Sequence, residues 1–112
     1  SGNSVGTIDS GDVISSSTGS WRTNNTEGRD CIYIGRNTSN DLRIEAQNGK
    51  VITKVTLTAP VGYLVDLKWK EHDGFTSGTY SNSWSGECKS CIVFTTAGAS
   101  HSNIESITVE YK

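Results

Sequence analysis

Residues 51–70, VITKVTLTAPVGYLVDLKWK, constrain the fold more than any other stretch, because two strand-like runs flank the single proline. In the first run Val55, Leu57 and Ala59 alternate with Lys54, Thr56 and Thr58. In the second, Tyr63, Val65, Leu67 and Trp69 alternate with Leu64, Asp66, Lys68 and Lys70. Successive side chains of a strand point to opposite faces, so each run offers one apolar and one mostly polar face. Pro60, Val61 and Gly62 fit a connection, since proline fixes φ and cannot donate to a sheet ladder. The two runs are the expected middle of a β-sheet core, joined as a hairpin or turning a corner between sheets.

Flanking segments repeat the period of two. Leu42, Ile44 and Ala46 alternate with Arg43, Glu45 and Gln47, and Ile107, Val109 and Tyr111 with Ser106, Thr108 and Glu110. Residues 31–35, CIYIG, and 91–96, CIVFTT, read as two further strands. Asn48-Gly49 is a hairpin signal, because both positions accept positive φ. It is expected to make residues 41–47 and 51–59 antiparallel neighbours. Residues 71–89 show no convincing period and read as a long loop. Val5, Ile8, Val13 and Ile14 can anchor short edge strands in the Ser/Gly-rich start of the chain.

Composition agrees with that pattern. Hydrophobic residues make up 33% of the chain and Met is absent, while Gly, Ser, Thr and Asn are abundant. Such residues favour turns and strands over long helices. Roughly six to eight short strands with polar turns imply an all-β, antiparallel β-sandwich of jelly-roll type. Residues 1–112 are expected to form one domain, with Ser1 and Gly2 resembling a cloning scar on an excised module. The expected core comprises Ile32, Ile34, Leu42, Ile44, Val55, Leu57, Val65, Leu67, Ile92, Phe94, Ile107 and Val109, with Tyr63 and Tyr111 alongside.

Charge excludes some partners. The formal charge is −2 with acids and bases interspersed, which points away from nucleic acid and anionic membranes. No apolar run reaches the ~20 residues a membrane span needs. Of three cysteines, Cys88 and Cys91 form a CxxC and Cys31 stands alone. One structural disulfide, three free thiols, or a zinc site drawing on His72 or His101 are the alternatives.

Three segments carry a resemblance: residues 42–58 through NGKVITKVTLT, residues 77–95 through SGTYSNSWSG and IVFT, and the closing IESITVEYK. Together they resemble β-sandwich modules of secreted and surface proteins from gut and rumen bacteria. Such modules accompany glycan-degrading enzymes or surface lipoproteins, and some bind carbohydrate. The resemblance therefore implies a secreted or extracellular module, attached to a larger enzyme or surface protein. The motifs point to fold and location more than to ligand; the expected role is a carbohydrate-binding module, with a plant cell-wall polysaccharide as the expected partner. Cys88, Cys91 and KWKEHD at residues 68–73 depart from the pattern.

No GxSxG elbow accompanies the adjacent His72-Asp73, and no carboxylate pair stands out among the acids, so a non-catalytic role is expected. Binding then rests on the aromatics. Tyr33 is expected on an exposed sheet face beside Arg43, Glu45 and Gln47, and the long loop contributes Asp73, Tyr80 and Trp84. Trp21 and Trp69 complete the candidates. Trp84 equally fits a core plug, and Trp21 a cap on the core's end. An aromatic ring can stack on the C–H face of a pyranose while flanking polar groups bond its hydroxyls. No cofactor is required, although Asp9 and Asp12 in IDSGD can supply oxygen ligands to calcium. A protein-docking domain or a small hydrolase are the rival readings.

Overall fold

The computed structural model describes residues 7–9, 11–17, 20–24, 29–36, 40–68, 74–97 and 100–112. Twelve strands occur among them: β1 (Thr7–Asp9), β2 (Val13–Ser17), β3 (Ser20–Asn24), β4 (Arg29–Ile34), β5 (Asp41–Ala46), β6 (Ile52–Thr58), β7 (Leu67–Lys68), β8 (Phe75–Ser77), β9 (Ser81–Cys88), β10 (Cys91–Thr96), β11 (Ser102–Ile104) and β12 (Ser106–Tyr111). The described residues contain no helix. Every pairing is antiparallel. The chain is all-β, as its composition implies.

Three sheets result, ordered β1-β2-β5-β10-β7, β11-β4-β3 and β12-β6-β9-β8. Alternation decides which faces turn inward. On β5 and β10 the directly opposed pairs Leu42–Phe94 and Ile44–Ile92 are fully buried. Arg43 and Val93, opposed on the other face, are half-buried. Ile32, Ile34 and Ile104 come from the second sheet, and Ile52, Val55, Leu57 and Trp84 from the third. All pack into one cluster. The radius of gyration is 13.1 Å, close to the ~13 Å of a compact domain of about 100 residues.

β6 lies inside its sheet, between β12 and β9, and is the middle strand its pattern implies. Its register shifts between Ile52 and Lys54, an irregularity that lets Ile52 and Val55, three residues apart, both reach the core. A second change of face comes at Glu105. There the chain leaves β4, donates Glu105 N–H to Thr58 O at 2.8 Å, and joins β6 as β12. Ile104 and Ile107 thus both face inward despite their odd spacing. Ile107 and Val109 are only partly buried, because β12 is an edge strand.

Asn48-Gly49 forms the expected turn but not the expected hairpin. Both residues have positive φ, 55° and 73°, and Lys50 N–H bonds Gln47 O at 3.0 Å. Beyond the turn the strands part: β5 pairs with β2 and β10, β6 with β12 and β9. Asn48 Nδ2 donates to Gly11 O at 2.6 Å, and Val51 pairs with Lys112. Each flank of the turn is therefore claimed by a different sheet.

The second central run starts its strand later than its alternation suggests. Among its described residues, 63–68, only Leu67 and Lys68 are strand, although Val65 and Leu67 are buried as expected. Asn82 explains why. Its buried side chain accepts Leu67 N–H at 3.0 Å, taking the place of a ladder partner. Asn82 lies on β9, in the stretch that read as a loop; β8 and β9 in fact occupy much of residues 71–89. The three cysteines are free thiols.

Candidate functional site

The connection after β6 builds the wall between two surface hollows. Tyr63 N–H bonds Pro60 O at 3.0 Å, closing a turn in which Gly62 has φ +86°. This turn is pinned on two sides. Ala59 N–H bonds Tyr80 O at 2.9 Å and Val65 N–H bonds Thr79 O at 3.2 Å; on the other side Asn103 N–H bonds Leu64 O at 2.9 Å. A segment outside the sheets is thereby held to the 79–80 bend and to β11.

Two hollows share Gly62, Tyr63 and Leu64 as a common wall. The first, about 520 Å³, is also lined by Ala59, Pro60, Val61, Thr79 and Tyr80. It is apolar, and its rim carries Val61, 70% exposed, and Tyr80, 66% exposed. The second, about 510 Å³, is lined in addition by Tyr33, Arg36, Ser100, His101 and Asn103. Both fall in the ~300–1,000 Å³ range of small-molecule sites.

The second hollow is internally ordered. The Tyr33 and His101 rings lie 5.3 Å apart at 36°. Arg36 N–H donates to His101 Nδ1 at 3.0 Å, which puts the ring proton of neutral His101 on Nε2. Asn103 Nδ2 donates to the buried Cys31 Sγ at 3.4 Å. Asp66 accepts Ser100 N–H on Oδ2 at 2.9 Å and donates its own N–H to Ser102 Oγ at 2.7 Å, fixing the end of this wall.

Of the residues proposed from sequence, Tyr33 and Tyr80 each line a hollow. Their neighbourhood differs from the one expected. Tyr33 on β4 and Arg43 on β5 belong to different sheets, so the platform of Tyr33, Arg43, Glu45 and Gln47 does not form. Arg43 instead donates Nη1 to Cys91 Sγ at 3.2 Å and lies 4.0 Å from Glu45 Oε1.

Trp84 is 2% exposed and fills the core between Val55 and Phe75, its cross-strand partners. It is the plug rather than a surface ring, because β9 turns Asn82, Trp84 and Cys88 inward. A Cβ on Gly86 would come within 2.7 Å of the indole, so the ring also lies against that glycine.

Trp69 and Asp73 lie outside the described residues. Trp21 is placed on β3 opposite Ile32 and Asp9 on β1 opposite Ile14; their side chains lie outside the described residues. The Asp12 carboxylate accepts Tyr111 OH at 3.1 Å, with Asn48 Nδ2 3.5 Å away. It has the bonding of a turn residue, and among the described residues no three His, Cys, Asp or Glu converge as a metal set.

Tyr63, Arg36, His101 and Val61 were not among the binding residues expected from sequence; Tyr63 was assigned to the core, Val61 to the connection, and His101 only to the zinc alternative. Tyr63 falls in phase with Val65 and Leu67 and so reads as core, yet it is half-buried and walls both hollows. Tyr111, likewise in phase with core residues, is 42% exposed at the end of an edge strand. The available signal was the Pro-Val-Gly turn itself, which ends the strand and frees the next side chain from its alternation. No helix among the described residues is long and apolar enough to cross a membrane. Comparison with known protein families, curated proteins and solved structures finds no match to this chain.

Proposed function

We propose that this chain is a non-catalytic carbohydrate-binding module with a β-sandwich, jelly-roll-type architecture. In this reading it belongs to a secreted bacterial protein and holds an attached glycan-degrading enzyme on plant cell-wall polysaccharide. The observation that carries the reading is the pair of hollows meeting at Tyr63, with Tyr33, Tyr63, Tyr80 and His101 on their walls. Tyrosine rings supply apolar stacking area and a hydroxyl at once, which suits a sugar ring with its C–H faces and hydroxyl rim. Each sugar hydrogen bond is worth only about 1 kcal/mol net in water, so a held, multi-contact wall is required. The backbone bonds from Ala59, Val65 and Asn103 provide that preorganisation.

A second reading draws on one observation of its own. Val61 and Tyr80 are exposed beside an apolar hollow, which also suits docking of a neighbouring domain. The two readings divide on Tyr33 and Val61. Affinity electrophoresis through gels containing xylan, mannan, mixed-linkage β-glucan or pectin is the direct test. The carbohydrate reading expects retardation by at least one polysaccharide. It further expects Tyr33→Ala or Tyr80→Ala to weaken binding about two- to tenfold, in line with ~0.5–1.5 kcal/mol for a stacked ring. Val61→Ser should matter little. Free migration in every gel would remove the reading in favour of docking.

A further inference from the structure

We propose that the two hollows together select an acidic glycan, with a uronate carboxylate at Arg36 and His101 and an uncharged sugar beside Tyr80. The proposal rests on the carbohydrate reading above and names the ligand class. Its basis is the unequal chemistry of the two walls. Around the second hollow the described lining residues include Arg36 and no Asp or Glu. Around the first they include no charged side chain at all. A site for a neutral sugar gains from carboxylates, which accept from hydroxyl donors. A wall rich in donors and poor in anionic acceptors fits an anion instead.

The donors are positioned by bonds already described. Because His101 Nδ1 accepts Arg36 N–H at 3.0 Å, Nε2 is the nitrogen left to donate. The same bond ties the Arg36 backbone to the ring that packs against Tyr33. A carboxylate there has the His101 imidazole N–H and the Tyr33 ring beside it, with the long Arg36 side chain starting from the same wall. Asp66, the acid bonded to this wall, has Oδ2 engaged by Ser100 N–H at 2.9 Å. The formal charge of the whole chain is −2, so the attraction is local rather than a long-range pull. Salt with a Debye length of about 8 Å should weaken it only partly.

The test is calorimetric titration of the full chain with a uronate oligosaccharide and with the same oligosaccharide carboxyl-reduced to its neutral form. Wild type should bind the uronate form about fivefold more tightly, the scale of an exposed charge pair. Arg36→Gln should abolish that preference, so that the two forms bind the variant equally. Arg36 is exposed, so the variant keeps the fold. Equal affinity of wild type for both forms, or a preference that survives in Arg36→Gln, overturns the proposal. If the reduced form binds and Tyr33→Ala weakens it, an absent preference sinks only the acidic selectivity. If neither form nor any gel polysaccharide binds, the carbohydrate reading falls with it.

Discussion

Replacing Asn82 by Ala tests how residues 63–68 are held, and with them the wall common to both hollows. The Asn82 side chain is 1% exposed. Its Oδ1 accepts Leu67 N–H at 3.0 Å, and its Nδ2 donates to Ser81 O at 3.0 Å and Gly78 O at 3.3 Å. Truncation strands the Leu67 N–H in the interior, a loss of about 1–3 kcal/mol for an unsatisfied buried donor. Gly78 and Ser81 are exposed, so water replaces much of what their carbonyls lose. The expected total is about 2–3 kcal/mol, a fall of about 1–2 M in the urea midpoint with the slope unchanged. Asn82→Asp separates the two halves of the network. It keeps an acceptor for Leu67 but sets a buried carboxylate against two carbonyl oxygens, which raises its folded-state pKa. A raised carboxyl pKa means the deficit is full above the folded value and vanishes as pH falls below the unfolded value of about 4. Urea titrations at neutral and acid pH read both effects. A loss below about 0.5 kcal/mol for Asn82→Ala, or an Asn82→Asp protein equal to wild type at neutral pH, would refute the argument.

Three further outcomes follow from the packing. Leu57 is fully buried on the interior strand β6, so Leu57→Ala should cost about 2–5 kcal/mol in the same urea assay. Gly74 has φ +94° and a Cβ there would run into Ser85 O, so Gly74→Ala should destabilise by more than about 1 kcal/mol. Tyr111 has its pKa raised above the usual tyrosine value, first by its hydrogen bond to Asp12 and then by that carboxylate's charge. Any stability from this bond is present below the unfolded pKa of about 10 and is lost as pH rises through the higher folded value. Absorbance titration near tyrosinate's band should therefore lose its latest step in Tyr111→Phe and shift it downward in Asp12→Asn.

How much of this was legible differs from element to element. Residues 41–46 and 52–58 declare themselves, because one face of each is buried and the period of two survives in the residue types. Asn48-Gly49 announces a turn, since positive φ is a local demand; which sheet each flank joins is set by distant partners such as Asp12 and Lys112. β9 was hidden because its inward positions hold Asn82 and Trp84 among serines. A buried amide whose bonds are made by Leu67, Ser81 and Gly78 mimics a loop residue in sequence. Tyr33 and Tyr80 were identifiable as aromatics not needed by the core. Their shared neighbour was not, because Tyr33, Tyr63, Tyr80 and His101 come from four separate segments that only the fold brings together.

The most direct measurement is a two-dimensional amide NMR titration of the intact chain with an oligosaccharide from whichever polysaccharide retards it. The account predicts shifts concentrated at Tyr33, Arg36, Gly62, Tyr63, Leu64, Tyr80 and His101, with Arg43, Glu45 and Val93 unmoved. Shifts centred on the Arg43 and Val93 face, or none at saturating sugar, would contradict it.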